Sequence, residues 1–301
     1  MNEKQGSYPK WFQDCLAMEG ETGTVEVEAC SINFEAWGDV GKPGIVLIHG
    51  SNAHLEWWRG IAPLLSDQFR VVAMDSGGSG NSGWRKQYTS ELFAKEVMAV
   101  ASAASLGKNP YIVGHSFGGM VTLEVGHLFG GQLGGIIMLD FTITPPAEME
   151  KMREFRKQRL SEPARPTKVY QDKAEALGRF RLVPTQPCKN SFFVDYLSEH
   201  SLREVNSGWT WKFDPDMFRN LSTEDLVQPT DKLLNLDCRS AFVLAEQSLD
   251  YSSDSLEHTK RIAGSGIPIF DVPGTYHHLM FDEPFALTMA IKGLLTAWDQ
   301  S

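Results

Sequence analysis

The chain has 301 residues, 42% hydrophobic and 11% aromatic, with 38 acidic against 28 basic side chains and a net charge of −10. That is enough chain for about two domains, or for one large α/β domain with an insertion. The acidity argues against nucleic-acid binding, which needs basic patches that release counterions, and no apolar run reaches the ~18 to 20 residues of a membrane span. The opening Met-Asn-Glu-Lys stretch lacks the apolar run of a secretory signal, so a cytoplasmic location is expected. Cys15, Cys30, Cys188 and Cys238 are widely spaced without a CxxC, and reduced thiols are expected.

Trp11, Phe12, Cys15 and Leu16 predict a short amphipathic helix. Thr24 to Cys30 and Ile32 to Trp37 alternate with period two and predict an antiparallel hairpin. Continuous apolar runs follow at Ile45–Ile48, Phe69–Met74, Tyr111–Val113, Ile136–Leu139, Ser240–Ala245 and Ile267–Val272. Runs without alternation predict strands buried on both faces, as in a parallel sheet. Helical patterns separate them at 57–65, 92–106, 120–129, 256–263 and 285–298, which is the rhythm of βαβ units and an α/β fold.

One stretch breaks that rhythm. From Thr142 to Asn235 the pattern is helical and charge-laced, opened by Pro145-Pro146 and punctuated by Pro163, Pro166, Pro184 and Pro187. Residues 141–230 hold 14 basic and 13 acidic side chains, so the rest of the chain carries −11. The expected organisation is a core in two parts, 1–141 and 236–301, with a helical cap inserted at 142–235. Within it, Arg153 to Arg159 reads as an exposed helix.

The stretch Tyr111-Ile-Val-Gly-His-Ser-Phe-Gly-Gly-Met120 carries the most chemistry. Gly114-x-Ser116-x-Gly118 lies between a buried strand and a helix, the context of a nucleophile elbow. The turn is so tight that small residues must flank the serine, and the following helix N-terminus favours negative charge. A serine hydroxyl needs a base to take its proton and donors to hold the resulting oxyanion. Backbone N–H groups of Ser51 and Phe117 are the candidate donors. His49, just before Gly50, reads as a hydrogen-bonder within its loop rather than as the base.

His49-Gly50 with Trp58, Asp75-x-x-Gly78-x-Gly80-x-Ser82, Gly114-His-Ser-Phe-Gly-Gly119 and a late histidine before Pro284 together resemble the α/β-hydrolase superfamily over nearly the whole chain. The resemblance implies a mostly parallel central sheet flanked by helices and the chain order nucleophile, acid, histidine. Its final histidine commonly lies seven residues before a helix-opening proline, which points from Pro284 to His277, with His278 as the alternative. The slot after Ala245 that usually holds the acid is Ser248. Asp250 could substitute. The other position used in the superfamily is the preceding strand end, where Ile137 to Pro145 is similar to haloalkane dehalogenases that carry a glutamate there; this favours Asp140 over Asp250, with Glu246 behind both. Dehalogenases and epoxide hydrolases of this fold use an aspartate nucleophile whose ester can be hydrolysed, whereas Ser116 in its place would leave an ether. An acyl-enzyme is the expected intermediate instead.

The expected function is therefore hydrolysis of a small-molecule carboxylic ester, by Ser116, His277 and Asp140. A lactone, a thioester or, less favoured, a carbon–carbon bond are the alternative substrates. A ligand-binding protein or receptor that keeps the fold without turnover is the alternative of another class. Asn52, His115, Trp209, Trp211 and His278 are candidate substrate contacts. The glycine-rich loop after Asp75 matches no phosphate-binding pattern and reads as structural. No cofactor is expected, and no metal, because adjacent histidines such as His277 and His278 rarely converge on one ion. Nothing in the sequence fixes an oligomeric state.

Overall fold

The computed structural model describes residues 8–160, 168–222 and 228–300; the predicted turn prolines Pro163 and Pro166 lie outside them. The first helix, α1 (Lys10–Ala17), buries Phe12 and Cys15. Strands β1 (Glu21–Val27) and β2 (Cys30–Trp37) form the expected hairpin. Then come β3 (Gly44–Ile48), a 3-10 turn at Leu55–Trp58, α2 (Ala62–Leu65), β4 (Arg70–Met74), α3 (Ser90–Ala103), β5 (Tyr111–His115), α4 (Phe117–Phe129) and β6 (Gly135–Leu139). After the inserted stretch the core resumes with β9 (Ser240–Ala245), α9 (Ser253–Ala263), β10 (Ile269–Val272), α10 (Leu279–Asp282) and α11 (Pro284–Asp299).

Eight strands form one sheet in the order β1-β2-β4-β3-β5-β6-β9-β10. β1 and β2 are antiparallel, β2 meets β4 antiparallel, and every later pairing is parallel. Every residue of β3, β4, β5, β6 and β9 is buried, because helices cover both faces. Two apolar layers result: Leu47, Val113, Ile137 and Val243 pack toward α11, and Val46, Ile112, Ile136 and Phe242 toward α3 and α4. Local signals set the helix ends. Thr89 and Ser252 accept the N–H groups of Leu92 and Ser255 at the starts of α3 and α9, and Pro284 opens α11.

The inserted stretch holds α5 (Pro146–Leu160), α6 (Lys173–Leu177), α7 (Ser191–His200), β7 (Leu202–Val205), β8 (Gly208–Trp211) and α8 (Pro229–Leu234). The hairpin β7–β8 corrects the all-helical expectation. Trp209-Thr210-Trp211 is a β-forming alternation, and Gly208, at φ 133°, lets the backbone close on the Tyr170 carbonyl, where a Cβ would sit 2.1 Å away. Tyr170 and Trp209 exchange backbone hydrogen bonds, adding a third short segment. An aromatic cluster ties the insertion to the core. Phe192, Phe193 and Tyr196 of α7 pack on Phe12 of α1 with ring centroids 4.8 to 5.4 Å away, and Phe193 reaches Phe281 at 5.0 Å. Among the described residues, no helix is long and apolar enough to cross a membrane.

Lys232 of α8 and Glu124 of α4 form a second tie, an ion pair with side chains only 7% and 10% exposed. Lys232→Met leaves a buried carboxylate without its cation and should cost about 3–5 kcal/mol in chemical denaturation. Adding Glu124→Leu should recover most of that loss; no recovery would show that the pair does not carry the tie.

Candidate active site

The turn between β5 and α4 is built by close backbone approach. A Cβ on Gly114 would lie 2.1 Å from the Gly118 carbonyl oxygen, and one on Gly118 would lie 2.5 Å from that of Ile48. Ser116 sits between them at φ 56°, ψ −118°, a conformation that costs a non-glycine residue on the order of 1–3 kcal/mol. The turn lifts the serine hydroxyl off the strand end and against the start of α4. The loop after β3 closes from the side: a Cβ on Gly50 would come 3.3 Å from Ser116 Cβ and 3.1 Å from His115 Nδ1. This packing sets Gly50, which Ser51 follows, against the serine turn that opens α4 at Phe117. Asn52 is exposed on the same loop at φ 56°, a left-handed position that asparagine tolerates.

His277 lies in the loop before α10 and is buried. Its Nε2 is 3.0 Å from Ser116 Oγ and its Nδ1 is 2.6 Å from Asp140 Oδ2. With the carboxylate accepting from Nδ1–H, Nε2 is left to accept from the serine hydroxyl. Asp140 follows β6 directly, at φ 42°, with no exposed side-chain surface. A carboxylate buried that fully must be hydrogen-bonded. Asp140 accepts from Ala245 N–H at 2.9 Å and from Ser248 Oγ at 2.6 Å, besides His277. Ser248 occupies the slot where the resemblance puts an acid, and here it donates to Asp140 at the end of the neighbouring strand. Tyr251 lies near Asp140, and burial together with that negative charge pushes its phenol up.

Asp250 does not take the orienting place. Its Oδ2 lies 3.5 Å from Nε2 of His277, on the face that meets Ser116, and its side chain is 40% exposed. The other proposed contacts sort by burial. His115 donates from Nε2 to the His277 carbonyl at 2.8 Å and is 1% exposed, so it holds the loop from below. His278 is buried against Trp57 and Phe281, with its backbone N–H on Gln186 Oε1 at 2.8 Å. Trp209 and Trp211 are not brought here. Trp209 packs beneath Lys173 and Trp211 against Tyr170 and Phe180, in the small core of the insertion. Sequence reading missed Gln186, Asn190 and Tyr251, and saw Ser248 only as a vacant acid slot and not as a donor to Asp140. Asn190 Nδ2 donates to the Phe281 carbonyl at 2.7 Å, so the insertion holds the histidine loop through Gln186 and the following α10 through Asn190.

His49 has the role expected of it. Its Nε2 accepts from Ser76 N–H at 3.1 Å, so Nδ1 donates to the Gly50 carbonyl at 2.8 Å. Burial pushes its pKa down to about 4. Asp75 accepts from Leu55 N–H, Asn81 N–H and Asn33 Nδ2, and burial raises it to about 6. Both are structural, as the glycine-rich turn suggested.

A family model described as alpha/beta hydrolase fold matches residues 43–179. The crystal structure of E-2-(acetamidomethylene)succinate hydrolase superposes with a TM-score of 0.76 at 18% identity, over 92% of this chain and 100% of that one. The chain has the α/β-hydrolase fold. Among curated relatives, a serine hydrolase-like protein of Mus musculus is 30% identical over 134 residues, 43% of each chain. A pimeloyl-(acyl-carrier protein) methyl ester esterase of Methylococcus capsulatus is 33% identical over 97 residues, 32% of this chain and 36% of that one. The chain thus spans less than half the length of these two relatives in the matched stretch.

The histidines of this site make stability depend on pH. His49 stays neutral in the fold down to about pH 4, while the unfolded chain takes up that proton near pH 6.5. Its contribution is complete above pH 6.5 and is lost as pH falls, with a slope of about 1.4 kcal/mol per pH unit. In denaturant unfolding between pH 6 and 4.5, His49→Asn should flatten the profile by about that slope, although it is less stable at pH 7 for want of the Ser76 bond. An unchanged slope would contradict the assignment.

Proposed function

We propose that this protein is a serine hydrolase that cleaves small-molecule carboxylic esters through an acyl-enzyme. The observation that carries the reading is the hydrogen-bonded line from Asp140 through His277 to Ser116, at 2.6 and 3.0 Å. Nε2 of His277 takes the Ser116 proton as Oγ attacks the ester carbonyl, and the tetrahedral oxyanion is held by the N–H groups of Ser51 and Phe117. Asp140 keeps the imidazole in the productive tautomer and stabilises the imidazolium. The proton then passes from Nε2 to the departing alkoxide, and the alcohol leaves. Water then attacks the acyl carbon as it gives a proton to the same nitrogen, and that proton passes to Ser116 Oγ as the acyl–oxygen bond breaks and the acid leaves. An alkoxide leaves more readily than an amide nitrogen, which favours esters over amides. The insertion acts as a cap: it contributes Gln186 to the histidine loop and Asn190 to α10, and Phe218 packs on Phe117 at 5.2 Å beside the nucleophile. Methyl ester chemistry in the name of the Methylococcus relative supports the same class.

A fluorophosphonate probe should label the wild type and not Ser116→Ala. No labelling of folded wild type would favour a binding protein on this fold. On an activated ester, Asp140→Asn should lower kcat by about 10³ to 10⁴, the scale of losing the tautomer-setting carboxylate in serine proteases. Asp250→Asn should stay within about tenfold of wild type, since it faces Nε2 and not Nδ1. The reverse order would move the acid to Asp250. Replacing His277 should cost far more than replacing His278. A panel of esters, lactones and thioesters then separates the substrate classes.

A further inference from the structure

The mechanism uses one imidazole, yet three meet at the site. His115 ends β5, His277 and His278 share the loop before α10, and one ring nitrogen of each lies within 4.8 Å of the other two. All three are buried, at 1%, 3% and 2% exposure. Among the described residues, no other set of three histidine, cysteine or carboxylate groups converges in this way.

Two of the rings are already held as metal-binding histidines are held. His277 gives Nδ1–H to a carboxylate, Asp140, and His115 gives Nε2–H to a backbone carbonyl, that of His277. Such distal hydrogen bonds fix the tautomer and leave the other nitrogen's lone pair free to ligate. The free nitrogen of His115, Nδ1, is buried without a hydrogen-bond partner, and so are both ring nitrogens of His278. A buried polar atom left unpaired costs about 1–3 kcal/mol, and the proposed ester chemistry gives these atoms no work. Asp250 adds a partly exposed carboxylate 3.5 Å from the ligating nitrogen of His277, a negative group on the path of an entering cation.

We propose that His115, His277 and His278 form a binding site for a transition-metal dication of the Zn²⁺ class, and that its occupancy switches the hydrolase off. Imidazole nitrogen suits Zn²⁺ and its neighbours, and not Mg²⁺ or Ca²⁺, which take oxygen ligands. Bonds of about 2.0–2.1 Å place tetrahedral ligand atoms roughly 3.4 Å apart, so the rings must draw inward by little more than 1 Å in mutual separation. His278, whose ring nitrogens make no hydrogen bond beyond a loose approach to the Val183 backbone, is the member that moves. Coordination replaces the Ser116 Oγ–H···Nε2 hydrogen bond with a bond from Nε2 to the metal. The serine keeps its proton, no covalent bond to carbon forms, and the base is unavailable until the metal leaves. Binding follows from the imidazole cluster alone; the inhibitory half rests on the function proposed above.

The test uses the full chain stripped with EDTA and freed of chelator. Calorimetric titration with ZnCl₂ should give one site per chain, Co²⁺ should develop the visible absorption of a nitrogen-ligated ion, and Zn²⁺ should suppress ester hydrolysis tenfold or more. EDTA should restore the rate, and Mg²⁺ should do nothing. His278→Phe, with His278→Gln as a second variant should the first misfold, should weaken Zn²⁺ binding tenfold or more. Inhibition is read against each variant's own metal-free rate and should weaken in parallel. Absence of a stoichiometric Zn²⁺ site in wild type, or equal affinity in a folded His278 variant, overturns the site. Zinc binding with undiminished hydrolysis overturns the switch. Normal zinc binding in a protein that hydrolyses no ester supports the site and counts against the ester reading.

Discussion

A fully buried carboxylate at the end of a parallel strand organises this molecule. Asp140 has no water to solvate it, so the fold must supply hydrogen-bond donors, and it draws them from three places: the β9 backbone at Ala245, the following turn at Ser248, and the distant loop at His277. Asp140 also stands where the chain leaves the core for the insertion. Its neighbour Phe141 packs on Gly119 of the elbow helix, where a Cβ would come 2.6 Å from Phe141 Cβ. One residue thereby couples the departure of the insertion, the turn that carries Ser116 and the loop that carries His277.

The insertion closes this arrangement from the other side. Gln186 holds the histidine loop and Asn190 the adjoining α10 by their backbones, and the aromatic side chains of α7 bind the insertion to α1 and α10. Beneath the loop, His115 carries the His277 carbonyl. The imidazole is therefore fixed at its ring by Asp140 and at its backbone by His115, with few degrees of freedom left. Such preorganisation is what proton transfer over a 3.0 Å hydrogen bond requires. The same confinement brings His278 and His115 close enough to form the proposed metal site. The near-neutral insertion leaves the negative charge on the core, and of the acidic candidates named for the site Glu246 and Asp250 are exposed while Asp140 is buried.

The parallel sheet was legible because short apolar runs such as the four residues Ile45–Ile48 have no polar face, and only strands covered on both sides tolerate that. Gly114-x-Ser116-x-Gly118 was legible because the sterics of one turn dictate its residues. Asp140 could be weighed against Asp250 only through resemblance, since a buried acid and an exposed one look alike in sequence; what separates them is which nitrogen of His277 each faces. The hairpin β7–β8 was missed because its strands are four residues long and one is half charged, Leu202-Arg-Glu-Val205. Ser248, Gln186 and Asn190 had no local signal, as their work is to satisfy groups 90 or more positions away along the chain. Trp209 and Trp211 drew attention by size, but they serve the small core of the insertion.

The central claim is that Asp140 is the carboxylate hydrogen-bonded to Nδ1 of His277 in the resting protein. Proton NMR reads that bond without a substrate, because an imidazole N–H held by a buried carboxylate is shielded from exchange with water and resonates far downfield. The account predicts one such signal in wild type, its retention in Asp250→Asn, and its loss in a folded Asp140→Asn. A signal that survives Asp140→Asn and disappears in Asp250→Asn would contradict it.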